Sequence, residues 1–346
     1  MKTQRYDAID GLRAYAAIGV AIMHIKVNGF NFPGFISERV IGEMGNFVFL
    51  FMVISAFSMC CGYYDKIVQN RITVVEFFGK RYAKIWPFWA LICTLDLVLS
   101  PELTTLYEYF ADITLCFGFL PNANISVIGV GWFLGLVFVF YLLFPFFCYL
   151  ISDKRRAWFS FAAALVFNLI CQNYFFDSEH VVETFDVRTN ILYCAVFFLA
   201  GGLIYIYRLE IQRFSEKMHW FVLVCCIIMA VVYFAIGSSV FTLLAFSVML
   251  LIYAIGDKKT TGILRNTVTK FISGISMEIY LCHMVIYRIV EKFHLLYMFE
   301  NEILSYIFAV ILVITGAILF SLVVRWGINK FSDLKKGQVK LWLKRN

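Results

Sequence analysis

The stretch GWFLGLVFVFYLLFPFFCYL, residues 131–150, contains no charged side chain over its whole length. About 20 such residues are enough for a helix to cross the hydrocarbon core of a membrane. The rest of the chain is similar: of 346 residues, 62% are hydrophobic and 15% charged, and the mean hydropathy is +0.80. A soluble protein of this length could not bury so much apolar surface in one core. The sequence therefore predicts an all-α integral membrane protein.

Apolar runs that could each form a span recur ten times along the chain, and only short loops separate them. We therefore predict one membrane domain over residues 1–330, followed by a basic cytoplasmic tail over residues 331–346. No cleavable signal peptide is expected, because the first apolar run begins among charged residues and lacks a small-residue cleavage site. The ten predicted spans cover about 8–27, 42–64, 86–100, 129–150, 157–174, 190–207, 219–236, 238–256, 271–289 and 303–325.

The distribution of basic residues predicts the orientation of these spans. If the N-terminus is cytoplasmic and the spans alternate, 24 of the 30 basic residues face the cytoplasm and five face outward. The positive-inside rule requires this asymmetry. We therefore predict ten transmembrane helices with both termini in the cytoplasm, and the net charge of +7 does not indicate a nucleic-acid partner. Acidic residues gather in the predicted outer loops 101–128 and 175–189.

Two ionisable residues lie on one face of the first predicted span. Arg13 and His24 are eleven residues apart, so they are within about 20° of the same direction and about 16 Å apart along a helix. Ionisable groups inside a membrane normally face a cavity or a partner. A lone arginine can also reach the lipid phosphates, and a lone histidine can join two helices. Their shared face favours a common cavity.

The sequence predicts no metal site and no permanently bound cofactor. Its ten cysteines show no zinc-type spacing, and most lie in apolar spans. Cysteines in such positions behave as small hydrophobic residues.

Five ordered motifs, between residue 5 and about residue 290, resemble the acyltransferase-3 family of bacterial membrane acyltransferases. IDGLRAYAAIGVAIMH resembles the opening helix of that family, in which ten residues separate a basic residue from a histidine, here Arg13 and His24. The other four motifs are GNFVFLFMVISAFSM with Ser55 and Phe57, FFGKRYAKIWP with Arg81, Lys84 and Pro87, GWFLGLVFVFYLLFP with Trp132, Leu134, Tyr141 and Pro145, and GISMEIYLCH with Ser276, Tyr280, Leu281 and His283.

The chain departs from the family pattern at a few positions. Val137 and Phe138 stand where many members carry paired glutamates, which indicates a branch without those acids. Ala56 replaces a glycine. Lys84 stands where a second arginine is usual, so the charge is retained but the bidentate geometry of arginine is lost.

The resemblance implies transfer of an acyl group, usually acetyl, from coenzyme A to a sugar hydroxyl at the bacterial cytoplasmic (inner) membrane. Acyl-coenzyme A would be a co-substrate, and the expected partners are the glycan acceptor and the lipid bilayer. Arg13, Arg81 and Lys84 would bind the phosphates of the donor from the cytoplasm. His24 would be the general base for the acceptor hydroxyl, although a covalent acyl-histidine is an alternative.

Five further residues are candidates for a tunnel or an acceptor site: Ser55, Trp132, Tyr141, Glu278 and His283. Trp132 and Tyr141 could equally be aromatic anchors at the membrane interface. Glu278 and His283 are about 140° apart around their helix, so they do not share a narrow face. Either could make a structural hydrogen bond or face the cavity.

Other functions would also suit a protein with ten spans and charged intramembrane residues. A transporter or flippase for a glycan or a small acid is the main alternative. Against it, the sequence shows no internal repeat and no matched pair of broken helices. A structural subunit of a polysaccharide assembly, or a membrane acyltransferase that modifies lipids or proteins, would also fit the composition.

Overall fold

The computed structural model describes residues 6–99, 101–119, 129–175, 179–180, 186–258 and 261–343, with the backbone alone at 99 and over 331–343. This part of the chain is helical and contains no strands, which confirms the predicted all-α class. The principal helices are α1 (Asp7–Gly29), α2 (Phe47–Met59), α3 (Val74–Leu99), α4 (Leu103–Ile113), α5 (Trp132–Leu150), α6 (Lys154–Ile170), α7 (Ile191–Ile206), α8 (Arg208–Lys217), α9 (His219–Ile236), α10 (Val240–Gly256), α11 (Thr267–Gly274), α12 (Ser276–Lys292) and α13 (Glu302–Leu343).

Nine of the ten predicted spans each overlap one of these helices, and the ninth, 271–289, covers parts of both α11 and α12. Within the described residues, six helical segments are long and apolar enough to cross a membrane, or seven if the pair α7–α8, bent by 76°, is one span. A multi-pass membrane protein is therefore supported, whereas ten spans and a cytoplasmic N-terminus stay predictions. The six segments are Asp7–Gly29, Ile36–Val68, Gly129–Leu150, Lys154–Phe175, His219–Ile236 and Glu302–Lys330.

Two long helices, α3 and α12, are not among these six segments. The predicted third span began at residue 86, but α3 begins at Val74 and has 26 residues, so Arg81 and Lys84 lie on the helix itself. Glu278 lies in the first turn of α12. Charged residues lower the hydropathy of a helix whether or not it lies in the membrane, and inside a membrane they face a cavity or a partner. Both helices deliver such residues to the site described below.

Loops and helix ends contact one another at two sides of the bundle, one near Arg13 and the other near His24. On the side of Arg13, Glu216 pairs with Lys258 at 2.6 Å, and Ser273 donates a hydrogen bond to Asp10. On the side of His24, the amide of Asn31 donates to Glu302 at 2.7 Å. The hydroxyl of Tyr233 donates to the carbonyl oxygen of Glu43 on that same side, at 2.9 Å. If successive spans cross the membrane in alternating directions, the two residues of each pair lie on the same face of the membrane.

The two N-terminal segments form the centre of the bundle. In their most apolar stretches, 61% of the residues of α1 and 67% of those of Ile36–Val68 are buried. For α6 and α9 the corresponding share is 17%, as expected of helices that face lipid. Arg13 and His24 therefore lie on a central helix.

The predicted seventh and eighth spans, joined only by GSS, are two separate helices. Gly237 ends α9 with a φ of 97°, a left-handed conformation that glycine adopts without steric cost. Ser239 then caps α10, because its side chain accepts a hydrogen bond from the amide of Thr242. A glycine and a capping serine are therefore enough to reverse the chain.

Gly201 allows α7 to pack closely against α2. A Cβ at this position would overlap the carbonyl oxygen of Val53 and approach the Cβ of Ala56 to 2.9 Å. Gly201→Ala should therefore destabilise the protein by about 1–3 kcal/mol, measured as a lower unfolding temperature in detergent. Gly327→Ala is the matched control, because nothing lies within 4 Å of that position. Equal unfolding temperatures for the two variants would contradict this expectation.

The last helix does not break at the predicted start of the tail. The backbone of α13 is helical from Glu302 to Leu343, so it continues through most of residues 331–346. Residues 344–346 lie outside the described part of the chain.

Candidate functional site

A cavity of about 590 Å³ lies between the central helices, on the side of Arg13. This size is typical of a site for a small molecule or cofactor. Its walls come from α1, α2, α3, α5, α11, α12 and α13, and from the π-helical turn Cys60–Tyr64 that follows α2. The predicted site residues that line it are Arg13, Ser55, Arg81, Lys84, Tyr141 and Glu278.

The cavity is strongly cationic. Four basic side chains line it, and Glu278 is the sole carboxylate among the described lining residues. Three of the four, Arg13, Arg81 and Lys84, are the residues that the sequence predicted as phosphate ligands. The fourth is Arg325 of α13, whose guanidinium donates to the carbonyl oxygen of Gly274 at 2.6 Å. A cluster of like charges in a concave, low-dielectric site attracts polyanions.

Arg81 is held by aromatic side chains. Its guanidinium lies 4.5 Å from the ring centroid of Tyr63 and 5.7 Å from that of Tyr141. It also donates to the hydroxyl of Tyr63 at 2.7 Å. Its Nε is buried and has no hydrogen-bond partner among the described residues. The arginine is thus oriented without a carboxylate partner that would neutralise it.

Arg13 is held by hydrogen bonds from two directions. One guanidinium nitrogen bonds Asp10 at 3.1 Å, one turn earlier on α1. The other donates to the hydroxyl of Ser58 at 2.6 Å. Because Ser58 belongs to α2, these bonds fix the register of the two central helices at the wall of the cavity.

Aromatic side chains close the far end of the cavity. Phe133 lies 6.0 Å from Phe51 and 5.5 Å from Tyr280, measured between ring centroids. The hydroxyl of Tyr280 donates to the carbonyl oxygen of Val130 at 2.8 Å. This end can accommodate an apolar or mildly polar chain, whereas basic side chains line the opposite end.

His24 and His283 form a pair beside this aromatic end. Nδ1 of His24 lies 3.0 Å from Nε2 of His283, and the ring of His283 lies 6.0 Å from that of Tyr280. Neither histidine lines the cavity itself. His283 is fully buried, whereas His24 is partly exposed. The two rings thus lie one helical turn beyond the residues that close the cavity.

Trp132, a predicted tunnel residue, lies behind the cavity wall, with its ring 5.9 Å from that of the lining residue Phe133. It is not among the lining residues; its ring lies 5.8 Å from the guanidinium of Arg188, which forms a salt bridge with Asp186 at 2.9 Å. Arg188 also acts electrostatically on His24 and Tyr280. The predicted outer loops 101–128 and 175–189 lie partly outside the described residues, at 120–128, 176–178 and 181–185.

Sequence reasoning missed two features of the site. Arg325 is the last residue of the predicted tenth span, 303–325, and its position in the sequence identifies it only as one of the basic residues on the cytoplasmic side. The pairing of His24 with His283 was not anticipated either.

Val137, which stands where many members of the acyltransferase-3 family carry a glutamate, forms part of the apolar wall. The cavity therefore lacks a carboxylate there.

The fold and the cavity together define a class: a helical multi-pass membrane protein whose charged intramembrane residues surround an internal cationic cavity. The acyltransferase domain model of the acyltransferase-3 family matches residues 6–322, which is nearly the whole chain. The chain therefore belongs to this family, as the sequence motifs had indicated, and is a membrane acyltransferase. No curated protein and no solved structure matches the chain significantly.

Proposed function

We propose that this protein is a membrane O-acyltransferase that moves an acetyl group from acetyl-coenzyme A to a hydroxyl of a cell-surface or exported glycan. The observation that carries the proposal is the arrangement of the site. Four cationic side chains surround one part of the cavity, aromatic rings close its other end, and a histidine pair lies just beyond.

The cationic cavity suits the donor. Coenzyme A has a polyanionic headgroup and a long, mildly polar arm that ends in the thioester. Arg13, Arg81, Lys84 and Arg325 would bind the phosphates through charge-assisted hydrogen bonds. On the continuous helix α1, Arg13 and His24 are separated by about 16 Å. The arm would extend along α1 and bring the thioester toward His24.

The proposed reaction is a direct acyl transfer. The acceptor oxygen attacks the thioester carbonyl carbon, so a carbon–oxygen bond forms and the carbon–sulfur bond breaks. Nε2 of His24 takes the proton of the hydroxyl, and this proton then passes to the thiolate of coenzyme A. The products are an O-acetylated glycan and free coenzyme A, and His24 returns to its neutral form.

The proposed location is the bacterial cytoplasmic membrane, with the donor on the cytoplasmic side. Support comes from the 24 basic residues that alternating spans place inside, and from the basic residues of the cavity on the same side. Arg188, in the predicted outer loop 175–189, acts electrostatically on His24. This supports a reacting centre nearer the outer face.

The activity can be tested with the purified protein in liposomes. Acetyl-coenzyme A and a glycan extract from the producing cells are added to permeabilised vesicles, and free thiol and glycan-bound acetyl are both measured. Stoichiometric release of coenzyme A and formation of alkali-labile acetyl esters would support the proposal. In sealed vesicles, glycan movement across the membrane without coenzyme A release would instead indicate a transporter.

Removal of a cavity charge should weaken donor binding more than it slows the chemical step. For Arg81→Gln and for Lys84→Gln, we expect the KM for acetyl-coenzyme A to rise about tenfold, as for the loss of one charge-assisted hydrogen bond. The defect should shrink at high salt. Lys84→Arg should be tolerated or should lower the KM. The measurement is initial rate against donor concentration at two ionic strengths.

Lys80→Gln is the matched control, because Lys80 precedes Arg81 on α3 but is exposed and does not line the cavity. It removes the same charge from the same helix and should leave the KM unchanged. If the double variant of Arg81 and Lys84 has the KM of the unmodified protein, these residues do not bind the donor.

A further inference from the structure

The histidine pair is linked to the backbone of α12 by a short hydrogen-bonded chain. Nδ1 of His283 lies 2.7 Å from the carbonyl oxygen of Tyr280 and 3.3 Å from that of Ile279. Nε2 of His283 lies 3.0 Å from Nδ1 of His24. Within the described residues, Nε2 of His24 has no hydrogen-bond partner.

Only one arrangement of protons satisfies this chain when both rings are neutral. Carbonyl oxygens can only accept hydrogen bonds, so the proton of His283 lies on Nδ1. Nε2 of His283 is then an acceptor, and Nδ1 of His24 must donate to it. A neutral imidazole carries one N–H, and therefore Nε2 of His24 holds a lone pair.

We propose that His283 is a positioning residue that fixes the Nδ1–H tautomer of His24 and thereby leaves Nε2 of His24 as the proton acceptor. His283 is suited to this task because it is fully buried, and the carbonyl oxygens of α12 determine its own tautomer. The assignment deepens the proposed function, since it rests on His24 being the general base.

The same bond also orients the ring of His24. The hydrogen bond to Nε2 of His283 restrains rotation of the imidazole, as the outer partners of functional histidines do elsewhere. When Nε2 of His24 takes a proton, Nδ1 keeps its own proton and its acceptor. The developing imidazolium is therefore stabilised with no rearrangement of the pair.

The tautomer can be measured without turnover. The chain has five histidines, so ¹⁵N-histidine labelling in nanodiscs gives few signals, and the His24→Asn spectrum assigns those of His24. We expect a protonated Nδ1 and an unprotonated Nε2. In His283→Leu, which lacks the acceptor, the Nδ1–H tautomer should be lost or averaged. An Nε2–H tautomer of His24 in the unmodified protein would overturn the proposal, whether or not the protein transfers acyl groups.

Kinetics provide the second readout. His283→Leu should lower kcat by at least about tenfold, within the range that a general base contributes, and should leave the KM for acetyl-coenzyme A unchanged. His283→Gln should restore the tautomer and most of kcat, because its amide oxygen can accept from Nδ1 of His24.

His219→Gln is the matched control, since His219 packs on Tyr253 in another part of the bundle, and it should leave kcat unchanged. If the Leu and Gln variants of His283 retain the tautomer and kcat equally, His283 has no positioning role. If the tautomer follows the expected order but no variant shows acyl transfer, the proposed function is wrong and the positioning of His24 stands.

Discussion

His24→Ala should reduce acyl transfer by about 10²–10⁴-fold, the contribution that a positioned general base typically makes. Binding of coenzyme A should change little, because His24 does not line the cationic cavity. A loss in kcat with an unchanged donor affinity is the signature of an interaction made in the transition state. The measurement combines initial rates at saturating donor with calorimetric titration of coenzyme A.

A second variant separates loss of the base from damage to the helix pair. His24→Asn keeps an amide that can donate to Nε2 of His283, but it offers no basic nitrogen. It should therefore unfold at the temperature of the unmodified protein and still be inactive. His219→Ala serves as a control for replacing a histidine elsewhere in the bundle. Turnover within threefold of the unmodified protein in both His24 variants would show that another group takes the proton.

The common location of Arg13, Arg81 and Lys84 could be expected from the sequence. Charged side chains in apolar helices need a polar environment, and a single shared cavity provides it for all three. The face of α1 that carries Arg13 and His24 was likewise fixed by helical periodicity. The family motifs imply a chemical role for these residues, whereas helical periodicity alone shows only which face they share.

The contact between His24 and His283 could not be predicted in the same way. The two residues are 259 positions apart, and periodicity indicates which face of a helix is polar but not which helix packs against it. Arg325 was overlooked for a related reason. An arginine at the end of a span usually reaches toward lipid phosphates, and only the packing of α13 shows that this one turns into the cavity.

Acyl transfer across the membrane is the prediction with the most decisive outcome. The protein is reconstituted into sealed vesicles of known orientation, with acetyl-coenzyme A confined to the face of Arg81 and Lys84. The glycan extract that is acylated in permeabilised vesicles is then supplied on one face only. Product should form when the acceptor is on the opposite face, and its yield should reach that of permeabilised vesicles.

Arg13 and His24, toward the two ends of α1, lie in different surroundings. Arg13 lies among the cationic residues of the cavity, whereas His24 lies about 16 Å further along the helix, within electrostatic range of Arg188 of the predicted outer loop 175–189. An acceptor on the cytoplasmic face would have to pass the same cations that we propose as ligands of coenzyme A. An acceptor from outside would not have to pass these cations. If product forms only when donor and acceptor share the cytoplasmic face, transfer across the membrane is wrong, even where His24 still proves to be the base.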